Sequence, residues 1–244
     1  MTSTFHDIMN STVPNGAAAM ELFYKVAEDY MWNLNVCEIE FASSQVMTSR
    51  SSVSEGLLQS GTYPNMKLLD AQEITSTGDM STAGYTITQA WLQKFGEDFQ
   101  CLIANADPPA MTACEGIIQA GDPTGEKTFV TGFDGGSQVW SYMRSGTPLH
   151  YTYAQPFEMY THKVCEAVDQ LQVQGLNPGD DGCILEFSGQ TLYSSGGVTT
   201  LNNIPEVGSV IHEAFDFYGM NPDDPDAWFN WTDGPGPYIV TDGL

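Results

Sequence analysis

The feature that most limits what this chain can fold into is a strict alternation of extended and helical segments. VCEIEFAS (36–43), MKLLDAQEI (66–74), CLIAN (101–105), KTFVTGFD (127–134) and LHYTYAQ (149–155) carry the apolar, β-branched and aromatic content of strands. Between them, apolar residues recur at helical spacing. Ala19, Phe23, Val26, Ala27 and Tyr30 share one face of a helix that begins near Gly16. A short helix is predicted around 48–59, and Met80, Ala83, Ile87, Ala90 and Trp91 predict another, closed by Gly96. Pro108 opens a helix over 108–120 with Met111, Cys114, Ile117 and Ile118 on one face. Helices are also predicted over 136–145 and over 156–174, the second with a stripe of Phe157, Tyr160, Val164, Val168 and Leu171. GCILEFSG (182–189) predicts a last strand. Short connections between alternating β and α units require parallel strands with helices on both faces. The expected fold is α/β: a doubly wound, mostly parallel sheet in three layers, Rossmann-like.

Charge and motif content narrow the function. Seven basic residues face 31 acidic ones, a formal net charge of −24. Nucleic acid and anionic lipid should repel such a chain. No run approaches the ~20 apolar residues of a membrane span, and the N-terminus MTSTFHDIMNST lacks the basic and apolar regions of a signal peptide. The five cysteines, at 37, 101, 114, 165 and 183, show no CxxC and predict buried free thiols. No P-loop, GxGxxG or nucleophile elbow occurs. The histidines, at 6, 150, 162 and 212, are scattered, with only His150 near a strand-end edge. The expectation is a protein without catalysis, cofactor or metal.

Ligands of open parallel sheets bind beyond the carboxyl ends of the strands. The residues there are Ser43 and Ser44, Asn105 and Asp107, Asp134, and Gln155. Carboxylates and amides make directional hydrogen bonds with hydroxyl groups, and a sugar presents many. Asp134 also reads as a helix N-cap ahead of Gly135 and Gly136, and Asp107, directly before Pro108, reads first as a cap. Asn105 is the residue of that pair expected to face a ligand.

The run CLIANADPPAMTACEGIIQAG, followed by FVTGFDGGSQVWSYMRSGTPLHYTYAQ, resembles the type I periplasmic sugar-binding proteins of the ribose-binding type, whose fold also serves as the effector domain of LacI-type repressors. The likeness extends from about Gly16 to about Pro205. It implies a carbohydrate-binding protein for uptake or sensing, with the substrate-binding role of an ABC transporter and a periplasmic or extracellular location. Asp134 matches the aspartate of the family's GFDG, which accepts hydrogen bonds from sugar hydroxyls. Gln155 matches the AQ glutamine at the hinge, and Arg50 falls near the cleft arginine after a one-residue shift; its other reading is a solvated helix residue. Where the family often has Asn before its aspartate, this chain has Ala106, so one sugar contact is lost or moved.

The resemblance covers the C-terminal lobe and leaves most of the N-terminal lobe without a counterpart. The expected organisation is a leader (1–15), a C-terminal-type lobe (16–150), a crossover segment that packs with the other lobe (151–204) and an acidic aromatic tail (205–244). The exposed stripe on 156–174 then calls for a separate chain supplying the missing lobe, self-association, or cover by the tail with Trp228 and Trp231. Two other functions fit the same residues: a non-catalytic structural or interaction protein derived from such a lobe, and a regulatory effector domain.

Overall fold

A computed structural model describes residues 15–75, 79–155, 164–188 and 197–204. The chain runs α1 (Asn15–Asp29), β1 (Asn35–Glu40), α2 (Gln45–Gln59), β2 (Lys67–Glu73), α3 (Met80–Phe95), β3 (Cys101–Ala104), α4 (Asp107–Gln119), β4 (Phe129–Asp134), α5 (Ser137–Arg144), β5 (Leu149–Ala154) and β6 (Gly197–Thr200). The sheet order is β2-β1-β3-β4-β5-β6. The strands β1 to β5 are parallel to their neighbours, and β6 runs antiparallel to β5. β5 spans the boundary expected at 150/151, and β6 joins the same sheet.

Each face of the sheet is closed by its own apolar layer. Leu22, Phe23 and Val26 of α1 pack with Leu58 of α2 and with Val36, Cys101, Phe133 and Tyr153. On the other face Trp91 of α3, Ile117 of α4 and Trp140 of α5 meet Cys37, Ile39, Leu102 and Val130. The alternation along each central strand sends successive side chains to these two layers.

The α3 stripe is rotated from its predicted face. Ile87 and Trp91 are buried, but Ala90 is exposed, and Gly84 and Thr88 are buried instead. The cause is a close approach of α3 to α4. A Cβ on Gly84 would lie 2.2 Å from the Pro109 carbonyl oxygen and 2.5 Å from Thr112 Oγ1, and one on Gly116 would meet Thr88 Cγ2 at 3.3 Å. Apolar periodicity does not register glycine as a contact surface. Gly84→Ala is expected to destabilise the protein by about 1–3 kcal/mol, read as a lower urea midpoint with an unchanged slope.

Residues 182–188 form no strand. The edge of β5 is taken by β6 rather than by the GCILEFSG run. It packs instead on the helical segment 164–173, whose last turn, Asp169–Val173, is a π-helix. Val164, Ala167 and Leu185 form a small separate core. Gln170 holds the run from both sides, accepting from the Ile184 N–H at 2.6 Å and donating to the Gly182 carbonyl at 3.1 Å. Of the predicted stripe, Val164 is buried and Val168 exposed; Phe157, Tyr160 and the tail with Trp228 and Trp231 lie outside the described residues. Cys37, Cys101 and Cys114 are buried free thiols as expected, but Cys165 is exposed because it points away from this small core, and Cys183 is half-buried.

Candidate functional site

The sheet order reverses direction between β1 and β3. Helix α2 leaves β1 over one face, and α4 leaves β3 over the other, so a crevice opens between their starts. The residues at the carboxyl ends of β3, β4 and β5 converge beside it with one residue from α2.

Arg50, in the second turn of α2, is buried at 3% exposure and reaches across β1 and β3. Its NH1 donates to the Asn105 carbonyl at 2.6 Å, and its NH2 donates to Asp134 Oδ1 at 3.2 Å. Its guanidinium carbon lies 3.7 Å from the centroid of the Phe133 ring, which stacks in turn on Tyr153 at 5.0 Å. Of its two expected readings, the solvated one is excluded. Gln155 donates from its side-chain amide to the same Asp134 oxygen. The Gln155 backbone N–H donates to the Asp134 carbonyl at 2.9 Å, which ties the ends of β4 and β5 together.

Asp134 is not a helix cap. The N-cap of α5 is Gly136, and Asp134 stands before it with φ 124°, a conformation that costs a non-glycine residue about 1–3 kcal/mol. Its carboxylate side chain keeps 30% of its exposure, against 3% for Arg50. Burial raises the proton affinity of Asp134, and the Arg50 charge and the Gln155 hydrogen bond oppose that.

Asp107 is not a cap either. It is the first residue of α4, behind the N-cap Ala106, and its carboxylate turns away from its own helix. One oxygen accepts from the Gly135 N–H at 2.6 Å, the other from Thr152 Oγ1 at 2.8 Å. This reach over β4 needs Gly132, where a Cβ would lie 2.3 Å from Asp107 Oδ1. Burial, and then the neighbouring Asp134 charge, push Asp107 up to about 7. Asn105 turns its side chain inward: its amide donates to Glu38 Oε1 and to the Ile39 carbonyl, each at 3.2 Å. Five of the expected residues, Arg50, Asn105, Asp107, Asp134 and Gln155, therefore meet at one edge. Asp134 is its half-exposed polar group, the buried Arg50 and Gln155 stand directly against it, and Asn105 and Asp107 brace them from behind. Ser44 is the N-cap of α2 without a side-chain cap bond, and Ser43 is exposed beside it.

The His150 expectation is corrected. His150 is the second residue of β5, at the opposite edge of the sheet, where its ring stacks on Phe129 at 5.5 Å and meets the Thr124 carbonyl at 2.7 Å. Among the described residues no group of three or more His, Cys, Asp or Glu side chains is placed to hold a metal, and no helix is long and apolar enough to cross a membrane. Next to Arg50 a narrow gap of about 20 Å³, with room for little more than one water, runs beneath α1 between Leu22, Phe23 and Thr131.

Sequence reasoning missed Glu38 and Ser54, which hold Asn105 and α2 from below through Ser54 Oγ donating to Glu38 Oε1 at 2.6 Å. The available signal was a glutamate at an inward-facing position of an apolar strand, NVCEIE.

The model of a family described as "Periplasmic binding protein domain" matches residues 10–175. No individual curated protein matches the sequence. Among solved structures, the arabinose-transporter periplasmic binding protein from Shewanella sp. ANA-3, bound to α- and β-L-arabinofuranose, superposes with a TM-score of 0.65 at 16% identity, covering 79% of this chain and 59% of that one. The Caulobacter myo-inositol binding protein, bound to myo-inositol, gives 0.64 at 21% identity, covering 80% and 60%. An ABC transporter periplasmic solute binding protein from Actinobacillus succinogenes 130z, with bound D-allose, gives 0.60 at 18% identity, covering 68% and 55%. At these identities the likeness is one of fold. The chain spans between half and two thirds of the length of these structures.

Proposed function

Because the chain belongs to the periplasmic binding protein domain family, we propose that it is a carbohydrate-binding protein for uptake or sensing, which holds its ligand at the carboxyl edge of the sheet and does no chemistry on it. The observation that carries this is the set Arg50, Asp134 and Gln155 at one strand-end edge. A sugar hydroxyl both donates and accepts. Asp134 supplies an acceptor, Arg50 a charged donor, and the Gln155 amide either. Asp134 is the group a ligand meets first, since it keeps the exposure that the others lack. Solved structures with the same fold hold arabinofuranose, myo-inositol and allose, all polyhydroxylated rings.

The ligand would be enclosed by a second wall from a partner chain or a second copy, and the site would work in the periplasm or outside the cell. Light scattering tests the second wall, with a dimer or a complex as the expected result and a monomer that recruits nothing as the contrary one. The mutual pairing of Arg50 and Asp134 also favours a second reading, a non-catalytic interaction protein in which the pair is only structural.

A thermal-shift screen separates the two readings. The panel is D-allose, L-arabinose, D-ribose, myo-inositol and deoxy sugars. A ligand at a hundred times its Kd stabilises a protein by about 2.7 kcal/mol, which corresponds to a shift of roughly 5–10 °C for a chain of this size. At least one sugar is expected to give such a shift in the wild type and none in Asp134→Ala. No shift with any sugar would overturn the binding reading in favour of the structural one.

A further inference from the structure

Glu38 is the one charged residue in β1 that is fully buried, at 0% exposure, on the face covered by α1 and α2. A carboxyl there is costly unless it is hydrogen-bonded and either paired or neutral. Its Oε1 accepts two hydrogen bonds, from Ser54 Oγ at 2.6 Å and from the Asn105 amide at 3.2 Å, and both donors are neutral. Its Oε2 has no hydrogen-bond partner among the described residues.

The two donors are the two supports of Arg50. Ser54 stands one turn along α2 from Arg50, and its hydroxyl also reaches back to the Arg50 carbonyl at 3.4 Å. Asn105 offers its own carbonyl to Arg50 NH1 at 2.6 Å. One carboxyl therefore fixes both the helix that carries the guanidinium and the strand end that receives it. Arg50 is then aimed at Asp134.

We propose that Glu38 is the positioning residue of this edge: its Oε1, accepting from both Ser54 and Asn105, joins α2 to the end of β3 and so sets Arg50 against Asp134. The groups around it favour the neutral form. α2 carries Glu55, β1 carries Glu40, and β3 carries Cys101, a thiol that burial also pushes up. The register partners on β2 and β3, Ala71 and Ile103, are uncharged, and the packed face of α1 is Ala18, Ala19, Leu22, Phe23 and Val26. Burial, against the pull of the Ser54 and Asn105 hydrogen bonds, raises the Glu38 carboxyl to about 8. At neutral pH the carboxyl therefore keeps its proton for the most part, and glutamine is its nearest uncharged stand-in.

This inference rests on reading the edge as a ligand wall, but its test reads Arg50 itself and needs no ligand. The chain has only two arginines, Arg50 and Arg144, so guanidinium ¹⁵N–¹H spectra resolve them individually. At pH 6.5 the Arg50 signal of the wild type is expected to be protected from solvent exchange. Glu38→Gln, which keeps the acceptor oxygen, is expected to hold that protection and the Arg50 shifts close to wild type. Glu38→Asp, which withdraws the carboxyl by one methylene, is expected to lose the protection at Arg50 while the Arg144 signal stays where it was. An Arg50 signal as protected in Glu38→Asp as in the wild type, or lost in Glu38→Gln as well, overturns the assignment.

Discussion

Gly135→Ala is expected to lower stability by about 3–5 kcal/mol and the melting temperature by roughly 10 °C, from three linked costs. The residue has φ 68°, which an L side chain adopts with strain. A Cβ there would lie 2.3 Å from Ala154 Cα and 2.5 Å from Ala154 Cβ, so β5 would have to move. Movement would also break the Gly135 N–H bond to the buried Asp107 carboxylate, 2.6 Å long, and an unsatisfied buried carboxylate oxygen costs a further ~1–3 kcal/mol. The same shift would carry Asp134 and Gln155 apart, because the Gln155 N–H bond to the Asp134 carbonyl spans that gap. Ligand affinity should therefore fall with stability. Gly136→Ala is the control: its Cβ would meet nothing within 4 Å and its φ is −92°, so it should leave the melting temperature within a degree or two. Equal melting temperatures for the two variants would contradict the packing described at this turn.

The second large effect is a dependence of stability on pH that runs opposite to ordinary acid denaturation. Glu38 is raised to about 8, Glu40 and Asp107 to about 7, and Asp134 is raised as well. Burial is the first cause in each, with the Glu55 carboxyl beside Glu40 and the Asp134 charge beside Asp107 adding to it. A carboxyl whose folded-state pKa lies above its unfolded value holds its proton more tightly in the native state. Its contribution is fully present below the unfolded value near 4 and is lost as pH rises through 7 to 8. The net charge of −24 acts in the same direction, since protonation relieves self-repulsion. Denaturant unfolding is expected to show the protein several kcal/mol more stable at pH 5.5 than at pH 9, by order of magnitude. Below pH 4 the trend should reverse. Asp70, held below its usual range first by its hydrogen bond to Lys94, loses that stabilisation when it is protonated. Added salt should raise stability at pH 8 by screening the surface acids. A flat profile from pH 5.5 to 9, or one that rises, would contradict the burial of these carboxyls.

The parts of this structure that follow a period were legible in the sequence, and those that depend on a close approach were not. Phe23, Val26 and Ala27 could be placed on the buried face of α1 because an amphipathic helix on a sheet leaves a 3.6-residue stripe, and all three are buried. The strand-end residues could be listed because a parallel sheet gathers them at one edge, and the structure does bring Arg50, Asn105, Asp107, Asp134 and Gln155 together. Asp107 was misread because a residue before Pro-Pro at a helix start normally caps that helix. Its true partners, Gly135 and Thr152, lie 28 and 45 residues away, and no local pattern announces them. The run 182–188 has the composition of a strand, but a strand forms only by pairing, and it is Gly197–Thr200 that pairs with β5. Gly84 and Gly132 act by what they lack, so hydrophobic patterning passes over both.

The most direct test of a ligand wall at this edge is calorimetric titration of the sugar that gives the largest thermal shift, into the wild type and into Asp134→Ala. The expected result is micromolar binding to the wild type, weakened about 100-fold or more in the variant, the loss of roughly 3 kcal/mol that follows removal of a partly buried charged acceptor. The same affinity in both proteins would place the ligand elsewhere and leave Arg50, Asp134 and Gln155 as a structural clamp between α2, β4 and β5.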